Sequence, residues 1–127
     1  MNDGSGDVLS NEDKVFIAEQ QLIREYAMRG PAIFIGRCAA EALKDENVLT
    51  VFIRADEAFR TQRIIREYGI PEKAVSSTMT KFDKKRKRYY AAYTGRNWTD
   101  WSHYQIILDS GKLGIETCAE LIKAALA

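Results

Sequence analysis

Apolar side chains recur at Val15, Phe16, Leu22, Ile23 and Tyr26, close to the period of a helix. Ser10 marks the start as an N-cap, with Asp13 three positions on in a short-armed capping box. Arg29 puts positive charge in the last turn, Gly30 suits a left-handed cap, and Pro31 blocks continuation. Short apolar runs then predict three buried strands, at 32–35 (AIFI), 48–53 (VLTVFI) and 104–108 (YQIIL). Between the first two lies an alanine-rich stretch, 37–44, read as a short helix, followed by a turn over 45–47. Asp56 is placed to cap a helix over 57–68 that Gly69 ends. Pro71 fits the first turn of the next helix, which runs to about Tyr93 with a break near Ser76 and Ser77. Residues 94–102 (TGRNWTDWS) form a loop, 109–111 turn the chain, and a final helix covers 114–126. Ile115, Cys118, Leu121 and Ile122 share one of its faces.

Strands separated by helices imply parallel pairing through crossovers. The predicted class is α/β, with a short parallel sheet flanked by helices. Residues 1–9 (MNDGSGDVL) read as a flexible leader, and 10–127 as one α/β domain. A chain of 127 residues, 46% apolar and 29% charged, is long enough for a core of its own. Its formal net charge of +1 makes any basic function local. Cys38 and Cys118 lack metal-type spacing and read as unbridged thiols of a reducing compartment. No signal peptide and no run of about 18 apolar residues is visible. The expectation is a cytoplasmic protein without a membrane span.

Three groups of residues carry candidate chemistry. In IFIGRC, Arg37 follows Gly36 at a strand-to-helix joint, where open α/β sheets hold ligands and where arginine can grip phosphate. An arginine there also runs against the helix dipole. Arg54, Arg60, Arg63 and Arg66 form the second group, the last three spaced to lie on neighbouring faces of one helix. Arginines at such spacing neutralise transferring phosphates; the same spacing fits a solvated face paired with Glu57 and Glu67. The third group is KFDKKRKRYYAAYTGRNW, residues 81–98, with Lys81, Lys84, Lys85, Arg86, Lys87, Arg88 and Arg96 against Asp83 alone. Asp83 and Arg86 stand at i,i+3. Interleaved tyrosines also suit single-stranded nucleic acid, or a helix with a solvated outer face. His103, the lone histidine, has no evident catalytic partner, and no metal set is predicted. A thiolate at Cys38 is conceivable at a helix start, but a small buried filler is the simpler reading.

The stretches GPAIFIGRCAAEAL, VLTVFIRADEAFRTQRI, KFDKKRKRYYAAYTGRNW and YQIILDSGKLGIETCAELI, in this order, resemble the cytidylate-kinase-like family of P-loop nucleoside monophosphate kinases, over residues 9–126. The resemblance implies a partial P-loop NTPase-like three-layer fold with a lid over about 57–97. It implies phosphoryl transfer from ATP, with Mg²⁺, to a nucleoside monophosphate such as CMP. It assigns Arg37 to the acceptor nucleotide, Arg60 and Arg63 to the lid's catalytic arginines, and Asp83 and Arg86 to both acceptor and transferring phosphate. Arg54 and Lys81 are weaker matches. Cys38 stands where the classical cytidylate kinases carry aspartate, which puts cytidine specificity in question.

The sequence departs from the family in one large respect: no GxxxxGK[ST] occurs in it. DGSGD (3–7) has no lysine, and Gly111-Lys112 precedes leucine. The expectation is therefore impaired transfer by this chain. In the family the strand before the phosphate loop lies between those matching 32–35 and 48–53, so the sheet must close up or take a strand from a second copy. A non-catalytic nucleotide- or partner-binding protein, or nucleic-acid binding through 81–96, are the alternatives.

Overall fold

A computed structural model describes residues 9–127; the leader expected over 1–9 lies, save Leu9, outside the described residues. The chain groups into two compact units, Met1–Val48 and Leu49–Ala127.

The first unit is built on α1, Asn11–Arg29. Ser10 caps it as expected, its Oγ accepting from the Asp13 amide at 3.0 Å. Gly30 follows as the C-cap residue. The predicted apolar face is only partly used. Ile23 is buried with Ala39 and Leu43, and Ala27, Phe34, Ala42 and Val48 pack around them. Val15, Leu22 and Tyr26 stay half exposed. A unit with one long helix and one helical turn has too little apolar surface to cover the whole stripe.

Two expectations fail here. Residues 32–35 are extended but join no ladder among the described residues. Ile33 and Ile35 are 90% and 91% exposed, so this is not a buried strand. An apolar run becomes a strand only when another strand takes its amides and carbonyls. The helix expected over 37–44 shrinks to α2, Ala39–Ala42. Gly36, Arg37 and Cys38 have φ of 68°, 59° and 52°, the left-handed region, so right-handed helix cannot start before Ala39.

The second unit holds the sheet: β1, Val51–Arg54, runs parallel to β2, Ile106–Asp109, pairing Val51 with Ile106 through Arg54 with Asp109. Both strands start later than predicted. Thr50 donates its amide to the Gln105 side chain at 3.1 Å, and Tyr104 closes a 3-10 turn, Trp101–His103. Between the strands run α3, Glu57–Tyr68, and α4, Glu72–Thr94, packed as a helical pair. Asp56 caps α3 by accepting from the Phe59 amide at 2.9 Å, and Gly69 ends it at φ 65°. Val75, with no exposed surface, and Met79 form α4's buried stripe.

The predicted break at Ser76 and Ser77 is absent. Ser77 and Thr78 both donate to the Ala74 carbonyl, at 3.2 and 2.7 Å, so their hydroxyls are satisfied on the helix itself. Pro71 is the N-cap residue and not part of the first turn. The turn expected over 109–111 includes the start of a short helix, α5, Ser110–Leu113; α6, Ile115–Leu126, ends the chain with Cys118 buried. The result is the predicted class, a mostly helical α/β arrangement with a two-stranded parallel sheet flanked by helices. No described helix is long and apolar enough to cross a membrane.

Candidate functional site

The capping of α3 by Asp56 sets the phase of that helix, and with it the direction of Arg60 and Arg63. Arg60 reaches across to α4 and gives Nη2 to both oxygens of Asp83, at 2.7 and 2.8 Å. Arg86, one turn on from Asp83, gives Nη2 to Oδ1 of the same carboxylate at 2.6 Å. Burial works to raise the Asp83 pKa, but the hydrogen bonds from Arg60 and Arg86 and their charges outweigh it. The carboxyl therefore titrates below its ordinary value. Arg63 donates Nε to Glu67 at 2.8 Å; that bond raises the arginine and holds Glu67 below the usual carboxylate range. At the sheet end, Arg54 donates to Asp109, its partner in the ladder, at 2.6 Å.

These arginines line one cleft of about 330 Å³ in the second unit. Four cations, Arg54, Arg60, Arg63 and Arg86, are held there by three carboxylates, Asp109, Asp83 and Glu67. At Asp83 one carboxylate serves two arginines. The same cleft is lined by Phe52, Phe59, Trp98 and Trp101. Arg86 lies over the Trp98 ring, 4.9 Å from its centroid. Phe52 packs against Trp98, Trp101 and Tyr104 with centroids 5.4, 5.0 and 4.9 Å away. Lys81, Lys84, Lys85, Lys87 and Arg88 are exposed on α4, outside the lining of this cleft.

Arg37 belongs to the first unit. It borders a groove of about 220 Å³ with Glu19, Tyr26 and Phe34, and its Nε lies 3.4 Å from Glu19 Oε2. Its left-handed backbone is held by buried Gln20, which donates Nε2 to the carbonyls of Arg37 at 3.1 Å and Cys38 at 3.4 Å. Left-handed φ at two successive non-glycine residues is costly, and side-chain hydrogen bonds of this kind offset it.

Of the residues singled out from sequence, Arg60, Asp83 and Arg86 are thus brought into direct contact, with Arg63 and Arg54 in the same cleft. Gln20, Glu19 and the pairing of Arg54 with Asp109 were not foreseen; only the register of the two strands could have revealed the last. His103 does have a partner, Asp100, at 3.3 Å, but the pair sits on the 3-10 turn and lines no described pocket.

DSGK, 109–112, does follow a strand and open a helix. Yet the amides of Gly111 and Lys112 are already taken by the Asp109 carboxylate, at 3.0 and 3.1 Å. A Cβ on Gly111 would stand 3.2 Å from the Phe59 ring, so this glycine serves packing. Among the described residues no three His, Cys, Asp or Glu side chains gather to hold a metal ion. With those amides taken, the 109–112 segment does not fit the phosphates of ATP.

Comparison with known proteins agrees with the fold. The cytidylate kinase-like family matches residues 3–112. A crystal structure of an uncharacterized protein from Eubacterium ventriosum ATCC 27560 superposes with a TM-score of 0.84 at 30% identity. The match covers 92% of this chain and 67% of that one. No curated protein matches the chain.

Proposed function

Because the chain belongs to the cytidylate kinase-like family, we propose that it binds a nucleoside monophosphate such as CMP through its arginines. The family's phosphoryl transfer from ATP is impaired in this chain. The observation that carries the reading is the convergence of Arg60 and Arg86 on Asp83 beside a cleft lined by Arg54, Arg60, Arg63 and Arg86. Each guanidinium meets Asp83 through Nη2, and a guanidinium has five N–H donors, so its other donors are the ones a phosphate would meet. In this reading Asp83 aligns the two arginines, and Arg60, Arg63 and Arg86 neutralise phosphate charge. Arg37 is assigned, through the family pattern, to the acceptor nucleotide.

The impairment is proposed from two features of the chain's own residues. GxxxxGK[ST] does not occur in the sequence, and the one strand-to-helix SGK segment caps itself with Asp109. These same features favour a nucleotide-binding protein without turnover as the second reading. Both predict calorimetric titration with CMP to saturate, and to weaken about tenfold or more in Arg86→Ala, as charge-assisted bonds of roughly 1.5–3 kcal/mol are lost. CMP-dependent consumption of ATP separates them: a rate above background, lost in Arg86→Ala, supports residual transfer. Absence of CMP binding by the folded chain rejects both readings. Affinity for single-stranded RNA that exceeds CMP binding and falls steeply with salt would move the function to the lysine face of α4.

A further inference from the structure

The arginines of the cleft account for a phosphate, but not for the aromatic rings that line it with them. Trp98 and Trp101 are the only tryptophans of the chain, and both line this cleft. Phe52 buttresses both rings from the sheet, 5.4 and 5.0 Å away. Trp98 is in addition covered by Arg86. Trp101 remains 47% exposed, a large apolar ring presented at the mouth of a cationic cleft. It stands on the 3-10 turn that Asp100 fastens, by accepting from the amide and hydroxyl of Ser102 at 3.2 and 2.8 Å. An aromatic ring on a fastened turn, in edge contact with Phe52 and still half exposed, has the surface a stacking platform needs.

We propose that Trp101 stacks the base of the nucleotide whose phosphate meets Arg60 and Arg86, so that the second unit reads both ends of one ligand. The inference rests on the phosphate reading given above. The ligand class is set by the cleft: an anionic group for its four arginines, a flat ring for Trp101, and a size near the lower end of ligand pockets. A nucleoside monophosphate meets all three demands. An aliphatic phosphate leaves the ring unused. Stacking is tolerant of base identity because every base presents a π-face. The platform therefore selects for nucleotides over sugar phosphates and discriminates little between cytosine and uracil.

The test compares CMP with ribose 5-phosphate, which keeps the phosphate and sugar but has no base. Calorimetric titrations are run on the unaltered chain, on Trp101→Leu and on Trp101→Phe. The unaltered chain should bind CMP about tenfold or more tighter than ribose 5-phosphate. The gap should close in Trp101→Leu and reopen in Trp101→Phe, with ribose 5-phosphate affinity unchanged throughout. Equal affinity for the two ligands, or a gap that persists in Trp101→Leu, overturns the platform and leaves the phosphate site standing. Failure of both ligands to bind the unaltered chain overturns the phosphate site and the platform together.

Discussion

At Asp83 one carboxylate accepts from two guanidinium groups, one a turn away on its own helix and one from α3. Removing it leaves Arg60 and Arg86 facing each other without a counter-charge. The side chains of this group are about one-third exposed or more, so solvent weakens the effect. Asp83→Ala should cost about 1 kcal/mol, read from the urea midpoint, and added phosphate should recover part of it. A midpoint unchanged within error would mean the ion pairs contribute nothing to the α3–α4 pairing. Gln20 acts in the opposite way, through neutral bonds in a buried place. Gln20→Leu keeps the side chain's bulk but removes the donor to the Arg37 carbonyl. Cys38 keeps the amides of Glu41 and Ala42 on its own carbonyl. The expected cost is about 1–2 kcal/mol in the denaturation midpoint. A neutral substitution would show that the left-handed turn holds itself.

The α3–α4 pair owes its connection to one backbone conformation. Gly69 sits at φ 65°, and a Cβ there would touch nothing within 4 Å. Gly69→Ala is therefore a test of backbone strain alone, and should lower stability by roughly 1–2 kcal/mol. The same substitution without effect would mean the helix end frays instead of capping. The extended segment before Gly36 behaves differently. Ile33 and Ile35 bury almost nothing, so Ile33→Thr with Ile35→Thr should leave the melting transition within about 0.5 kcal/mol of the unaltered chain. A large loss would show that these side chains are covered in solution.

For the molecule as a whole, the acidic limb of stability is the sensitive one. Asp83, Glu67 and Asp100 all titrate below their ordinary values when folded, and Asp100 owes this first to its hydrogen bond from Ser102. A depressed folded pKa means the unfolded chain binds protons first as pH falls. The stabilisation is thus complete above the ordinary carboxylate values, about pH 4 to 5, and fades as pH drops through the lower folded values. Urea midpoints should be flat near neutrality and decline below about pH 4. Asp83→Asn should flatten that decline, and an identical slope in the variant would remove Asp83 from the account.

Sequence alone determined what is decided within one turn of chain: the Ser10 and Asp56 caps, the Gly69 stop, and the i,i+3 relation of Asp83 to Arg86. These involve donors and acceptors three residues apart, so the order of residues suffices. It also located the family, whose motifs are contiguous. Tertiary structure decided what depends on distant partners. The run at 32–35 has the composition of a strand, but composition does not supply a neighbour. Arg60 meets Asp83 from 23 positions away, and Arg54 meets Asp109 from 55. The two tryptophans, visible in sequence as loop residues, became the wall of a cleft only when Phe52 of β1 was set behind them. Ladders, shared carboxylates and clefts are made by chain segments meeting in space, and local propensity does not encode which segments meet.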